Sequence, residues 1–135
     1  MANEPIKQNV VKALIIDDGK ILFLWDPNIV NRDKWEVPGG RKRVGESDEE
    51  SLMRETMEEA GIKIKVDKLI DEWEQHLPKK GWLLVGKSYL CTALTRDVKL
   101  EDLEKQHTAF RWVDIDTAKS MDLTDWLKRS LSLVD

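Results

Sequence analysis

The sequence holds a single cysteine, Cys91, which excludes an internal disulfide framework and a cysteine cage for zinc. It has no long apolar run: residues 21–25 form one of the longest, far too short to span a bilayer. It has no excess of positive charge either. Lys and Arg total 22 against 26 Asp and Glu, a net −4, so no basic field exists to hold a nucleic-acid duplex. No repeat, low-complexity tract or Pro/Gly/Ser-rich linker divides the chain. The first eight residues, with Glu4, Pro5 and Lys7, lack an apolar signal core, so the expected location is cytoplasmic. What remains is 41% apolar and 36% charged over 135 residues, the profile of one globular domain spanning 1–135 with a sizeable core.

Local patterns give a coarse map. Residues 10–16 are apolar except for Lys12; an Asp17-Asp18-Gly19-Lys20 turn follows, then the apolar run 21–25, so a β-hairpin is expected. Residues 26–34 read as a loop. Trp35-Glu36-Val37-Pro38-Gly39-Gly40 is a short extended piece ending in a turn. Ser47 opens a helix through the S-x-x-E capping form with Glu50, and Gly61 stops it, so Asp48–Ala60 is expected to be helical. Residues 62–66 alternate as a half-buried strand. Two more strands, 69–77 and 81–95, flank a Pro78-Lys79-Lys80-Gly81 turn, and 110–115 is another. Residues 123–134 form an amphipathic helix with apolar Leu123, Trp126, Leu127, Leu131 and Val134. Together these predict a mixed sheet covered on its faces by helices.

The first helix carries the chemistry. With Leu52 at zero and about 100° per residue, Thr56, Ala60, Met53 and Met57 fall between about 40° and 140°, which is read as the core arc. Glu58, Glu55 and Glu59 fall at about 240°, 300° and 340°, and Arg54 lies between the groups at about 200°. Three carboxylates so spaced repel one another, and they sit near the helix C-terminus, where the dipole disfavours negative charge. A hard divalent cation would turn that repulsion into coordination. The alternative is a solvated acidic face. Two neighbours favour the first reading: Gly39-Gly40 can point backbone carbonyls at the carboxylate face, and Glu46 can fix Arg54, which in turn orients Glu55.

Gly40, Glu46 six residues on, then Arg54-Glu55-Thr56-Met57-Glu58-Glu59-Ala60-Gly61-Ile62 resemble the Nudix box of the Nudix hydrolases. Eight of its nine defined positions match; Thr56 departs, standing where the family has an aliphatic residue. The resemblance extends to the Trp35-x-x-Pro38-Gly39-Gly40 lead-in and to Phe110-Arg111-Trp112-Val113. It implies an α/β fold, an α/β/α sandwich with a mixed β-sheet between helices. It also implies Mg²⁺-dependent (or Mn²⁺-dependent) hydrolysis of a nucleoside diphosphate linked to another group X. On it, Glu55, Glu58, Glu59 and the Gly39 carbonyl are metal ligands; Glu55 is a candidate base, and Arg54 with Glu46 holds it. Family members often carry a further Glu before a late His; here Gln106-His107 stands there, leaving Glu104 or Glu101 as a substitute base, with His107 structural or exposed.

For the substrate, Arg41, Lys42 and Arg43 either meet phosphates or form a solvated basic loop. Most of the six tryptophans are expected in the core, while Trp73, Trp82 or Phe110 stands where a nucleobase can stack. Cys91 is expected to be a small buried residue. Pro78 lies near a spacing that the family associates with ADP-ribose, but it also suits a hairpin turn. A nucleoside triphosphate is the first expectation. ADP-ribose or a nucleotide sugar comes second, and a non-catalytic nucleotide-binding module third. The expected partner is a small-molecule nucleotide, with no duplex and no membrane; a homodimer is left open.

Overall fold

The computed structural model describes residues 4–25, 34–99 and 109–134. The chain order is β1 (Ile6–Asp17), β2 (Lys20–Trp25), β3 (Gly39–Arg41), α1 (Asp48–Ala60), β4 (Ile64–Leu77), β5 (Trp82–Ala93), β6 (Ala109–Asp114), α2 (Ile115–Lys119) and α3 (Asp125–Ser132). The sheet runs β4-β5-β1-β2-β6, with β3 also paired to β1. Among the described residues only β1 and β5 run parallel; the other pairs are antiparallel. This is the expected mixed sheet.

The apolar runs of β1 and β2 lack a polar face because both faces are covered. Val10, Leu14, Ile21 and Phe23 point towards α2 and α3, where they meet Ala118, Leu123, Trp126, Leu127 and Leu131. Val11, Ala13, Ile15, Leu22 and Leu24 point the other way and meet Leu52 and Ala60 of α1, with Ile62, Ile64 and Cys91. Two cores on one sheet make the α/β/α sandwich. No helix among the described residues is long and apolar enough to cross a membrane.

Local chemistry sets α1 as expected. Ser47 Oγ accepts from Glu50 N–H while the Glu50 side chain accepts from Ser47 N–H, and Gly61 closes the helix in the left-handed region at φ 68°. The helix start is pinned from outside as well, by Lys42 at 2.7 Å from Asp48 and by the Tyr89 hydroxyl, which donates to Asp48.

Several expectations need correction. Residues 62–66 and 69–77 belong largely to one strand, β4, which passes through irregularities between Val66 and Lys68 and between Leu69 and Asp71. β1 begins at Ile6, earlier than expected, because Ile6–Gln8 pairs with Trp82–Leu84. The five-residue α2 was not expected, and the last helix is shorter than 123–134. Most important, α1 is turned on its axis. Met53 and Met57 are 47% and 40% exposed, whereas Glu55 and Glu59 are 2% and 8% exposed. The buried face runs from Ser51 through Glu55, Glu59, Leu52 and Thr56 to Ala60. The carboxylates face inward because hydrogen-bond donors wait for them there. The loop expected at 26–34 lies outside the described residues except for Lys34.

Thr56, the departure from the motif, is fully buried, and its hydroxyl has no hydrogen-bond partner among the described residues. A buried hydroxyl left unsatisfied costs about 1–3 kcal/mol. Thr56→Val, of nearly the same shape, should therefore stabilise the fold by about 1 kcal/mol, read as a higher urea midpoint with unchanged slope.

Candidate active site

The site forms where α1 crosses the start of β3. Arg54 is its centre. Its Nε and Nη2 grip Glu46 at 2.6 and 2.8 Å, and its Nη1 donates to Glu55 at 2.9 Å and to Glu58 at 3.1 Å. Nη2 also donates to the Arg41 carbonyl at 3.4 Å. Glu46 is held a second time, because its Oε1 accepts from Arg43 N–H at 2.8 Å. One guanidinium thus ties the 41–46 loop to the helix and gathers two box carboxylates onto one nitrogen.

The glycines let backbone and carboxylate meet. A Cβ on Gly40 would lie 2.8–2.9 Å from the Glu55 carboxylate atoms. A Cβ on Gly39, at φ 146°, would strike the Val11 carbonyl at 2.2 Å. Gly39 N–H instead donates to Glu59 Oε1 at 2.8 Å. So the strand reaches the acidic helix face through residues without side chains.

Among the described residues, no three His, Cys, Asp or Glu side chains already stand at metal-holding spacing. Donor chemistry nonetheless fits a hard divalent cation: Glu55, Glu58 and Glu59 offer carboxylate oxygens from one helix, and that of Glu55 lies in the Gly40 cradle that a Cβ would fill. In the structure those oxygens are drawn towards Arg54, Arg43 and Gly39 N–H.

Two hollows flank β3. One, of about 330 Å³, is lined by Gln8, Arg41, Lys42, Arg43, Arg54 and Glu55. The other is a cleft of about 180 Å³ beside Gly39, Gly40 and Glu59, walled by Trp73, Trp82 and Trp126 among others. Arg41 lines both, and its guanidinium lies 4.9 Å from the Trp82 ring centre. Arg43 reaches Glu58 at 3.4 Å.

The predicted site residues therefore divide. Glu46, Arg54, Glu55, Glu58, Glu59, Gly39, Arg41 and Arg43 come together. Trp82 lies at the cleft wall. Trp73 is 6% exposed, its ring stacked on Trp126 at 4.2 Å, lying against Gly86, and its N–H given to Ser88. It belongs to the core at the floor of the cleft. Phe110 is 41% exposed on β6 and does not line that cleft. Glu104, Glu101, Gln106 and His107 lie outside the described residues. Cys91 is buried as expected, and burial pushes its thiol up to about 12. Sequence reasoning missed Lys12 and Glu36 in the cleft; the signal for Lys12 was its place as the only charge inside an apolar run.

The NUDIX domain family model matches residues 6–134. The chain belongs to the Nudix family. A Caenorhabditis elegans relative bearing a nudix hydrolase name is 31% identical over 117 residues, covering 83% of this chain and 30% of that protein. The asymmetrical bis(5'-nucleosyl)-tetraphosphatase of Sus scrofa is 33% identical over 85 residues, covering 62% of this chain and 58% of that protein. The chain thus spans less than two thirds of the length of either. Among solved structures, the MutT NUDIX hydrolase of Burkholderia pseudomallei superposes with a TM-score of 0.82 at 24% identity, over 96% of this chain and 98% of that one. That likeness concerns the Nudix fold.

The Arg54 hydrogen bond, helped by Arg43 N–H, holds the Glu46 carboxyl down to about 2, below the ordinary 4.5. A depressed carboxylate stabilises the fold above its unfolded value and loses that contribution as pH falls towards its folded value. The melting temperature should therefore fall through the window from 4.5 to about 2, and Glu46→Gln should flatten that part of the profile. Thermal melts of both proteins over that range check it.

Proposed function

We propose that this Nudix protein hydrolyses a phosphoric anhydride bond in a nucleoside diphosphate linked to another group, with a nucleoside triphosphate as first substrate. The observation that carries the reading is the Arg54 fork, which gathers Glu55 and Glu58 on one nitrogen while Glu55 lies against Gly40 and lines the basic hollow. A nucleobase suits the tryptophan-walled cleft, and phosphates suit the Arg41-Lys42-Arg43 side. The name of the Sus scrofa relative, a bis(5'-nucleosyl)-tetraphosphatase, supports a nucleotide substrate. Pro78 has a structural reason to be where it is, since the turn closes through Lys80 N–H to Leu77 and Gly81 N–H to Pro78. It therefore gives no separate support to ADP-ribose.

Glu55, Glu58 and Glu59, with the Gly39 carbonyl, would hold Mg²⁺ or Mn²⁺. Bound there, the cation would neutralise the diphosphate and lower the pKa of a water. The chain's own part is orientation. Arg54 holds the Glu55 carboxylate, which lies against Gly40; on this reading Glu55 orients the attacking water and takes its proton. Arg41 and Arg43 receive the phosphate oxygens. A pure binding module has no need of the intact Glu46-Arg54-Glu55 arrangement, which favours an enzyme.

The test is phosphate release from nucleoside triphosphates, ADP-ribose and dinucleoside polyphosphates, with Mg²⁺ and with chelator. Turnover of triphosphates that vanishes with chelator is expected; no release from any member overturns hydrolysis. Glu55→Gln should lower kcat by roughly 10²–10⁴-fold. Should Glu104→Gln be crippling while Glu55→Gln is mild, the base lies in the loop instead.

Arg54→Lys retains charge but loses the fork, so kcat should drop on the order of 10²-fold with KM little changed. Steady-state kinetics decides: a large KM rise at normal kcat would make Arg54 a substrate ligand.

A further inference from the structure

Lys12 and Glu36 form an ion pair that the catalytic arrangement does not use. Both line the tryptophan-walled cleft, and both side chains are deeply placed, 14% and 11% exposed. Lys12 Nζ stands 3.7 Å from Glu36 Oε1 and donates to the Val37 carbonyl at 3.4 Å. Glu36 Oε1 accepts from Val37 N–H at 2.9 Å. The contacts of the Glu36 side chain with Val37 N–H and Lys12 both fall on Oε1. An ion pair at such depth is dearer than an apolar pair of similar volume, and a half-satisfied one dearer still. Its backbone neighbours explain where the pair is anchored, but not why a carboxylate stands in the lining of the cleft.

We propose that Lys12 and Glu36 read the nucleobase, and that the cleft selects guanine. The inference rests on the nucleotide reading above. An ammonium beside a carboxylate presents one donor next to two acceptors, since Oε1 keeps a second lone pair. Guanine's pairing edge is the complement: the O6 acceptor, then the N1–H and N2–H donors. Adenine and cytosine each offer a single donor group there. Uracil flanks its one donor with two acceptors, which would set a carbonyl oxygen against a carboxylate oxygen. Selection thus comes from matched donors and also from repulsion of the wrong edge. Trp82, with the Arg41 guanidinium over its ring, supplies stacking that does not discriminate among bases.

Binding of GDP, IDP, ADP and CDP, followed by calorimetry, tests this without requiring turnover. IDP lacks only the 2-amino group. GDP should bind about ten- to a hundredfold more tightly than IDP, the scale of one hydrogen bond to a charged group. Glu36→Gln should remove most of that advantage and leave ADP binding within about twofold. Equal binding of GDP and IDP by the natural protein overturns the inference, and this comparison stands even if the variant fails to fold. Equal weakening of all four by Glu36→Gln also overturns it, because that marks a structural role. Guanine preference without hydrolysis of any triphosphate, ADP-ribose or dinucleoside polyphosphate would overturn the hydrolysis reading and leave the base reading supported.

Discussion

The rest of the site depends on one guanidinium. Glu55 is 2% exposed, and Glu58 and Glu59 stand on the same side of α1. Three such carboxylates gathered on one helix face would push the helix away from the sheet if they met only each other. Arg54 lies on the same helix, donates to Glu55 and Glu58, and reaches across to Glu46 in the preceding loop. Its ion pairs make it possible to turn the acidic face inward. The loop then has to follow, because Glu46 is held at both oxygens. Gly40 is required for the same reason, since a side chain there would meet the Glu55 carboxylate, whereas Gly39 is required by its positive φ and by the Val11 carbonyl of β1.

This also explains what could and could not be read from the sequence. Both ends of α1 were legible to the residue, because capping is local chemistry between Ser47, Glu50 and Gly61. The face was not. Counting apolar positions puts Met53 and Met57 inside and the glutamates outside, which assumes that charge seeks water. A carboxylate with a donor waiting for it does not obey that assumption; Arg54 could be named beforehand as the partner of Glu55, but Gly39 N–H, the donor to Glu59, becomes visible only once the fold has brought it there. The fusion of two expected strands into β4 has a similar cause. Its irregularities near Asp67 and Ile70 break the period of two, so the pattern looks interrupted while the pairing with β5 continues.

The cleft was harder to anticipate for a different reason. Its lining comes from β1, β3, β4, β5 and both α1 and α3, segments that no short motif connects. Lys12 was conspicuous as the one charge in the apolar run of β1. Its partner was not, because Glu36 lies 24 positions on, and only the isolated bridge of Glu36 to Leu24 in β2 brings it back beside the sheet.

That bridge points to the feature of the fold that makes the site. One edge of β1 is shared: Asp17 and Ile16 pair with β2, while Val10, Val11 and Lys12 pair with β3. A strand that changed partner nowhere would keep the sheet closed, with its edge groups satisfied by one neighbour. Here β1 and β2 part after two register pairs, and the segment containing Glu36, Pro38 and Gly39 enters between them, with Ala13 N–H donating to Pro38 and Leu24 N–H to Glu36. The wedge gives these parted backbone groups of Ala13 and Leu24 their partners. It also delivers the glycines to the α1 face and Glu36 to the opposite, tryptophan-lined side. The divided edge of a single strand therefore positions the carboxylates and the cleft together, and fixes the distance between them through β3.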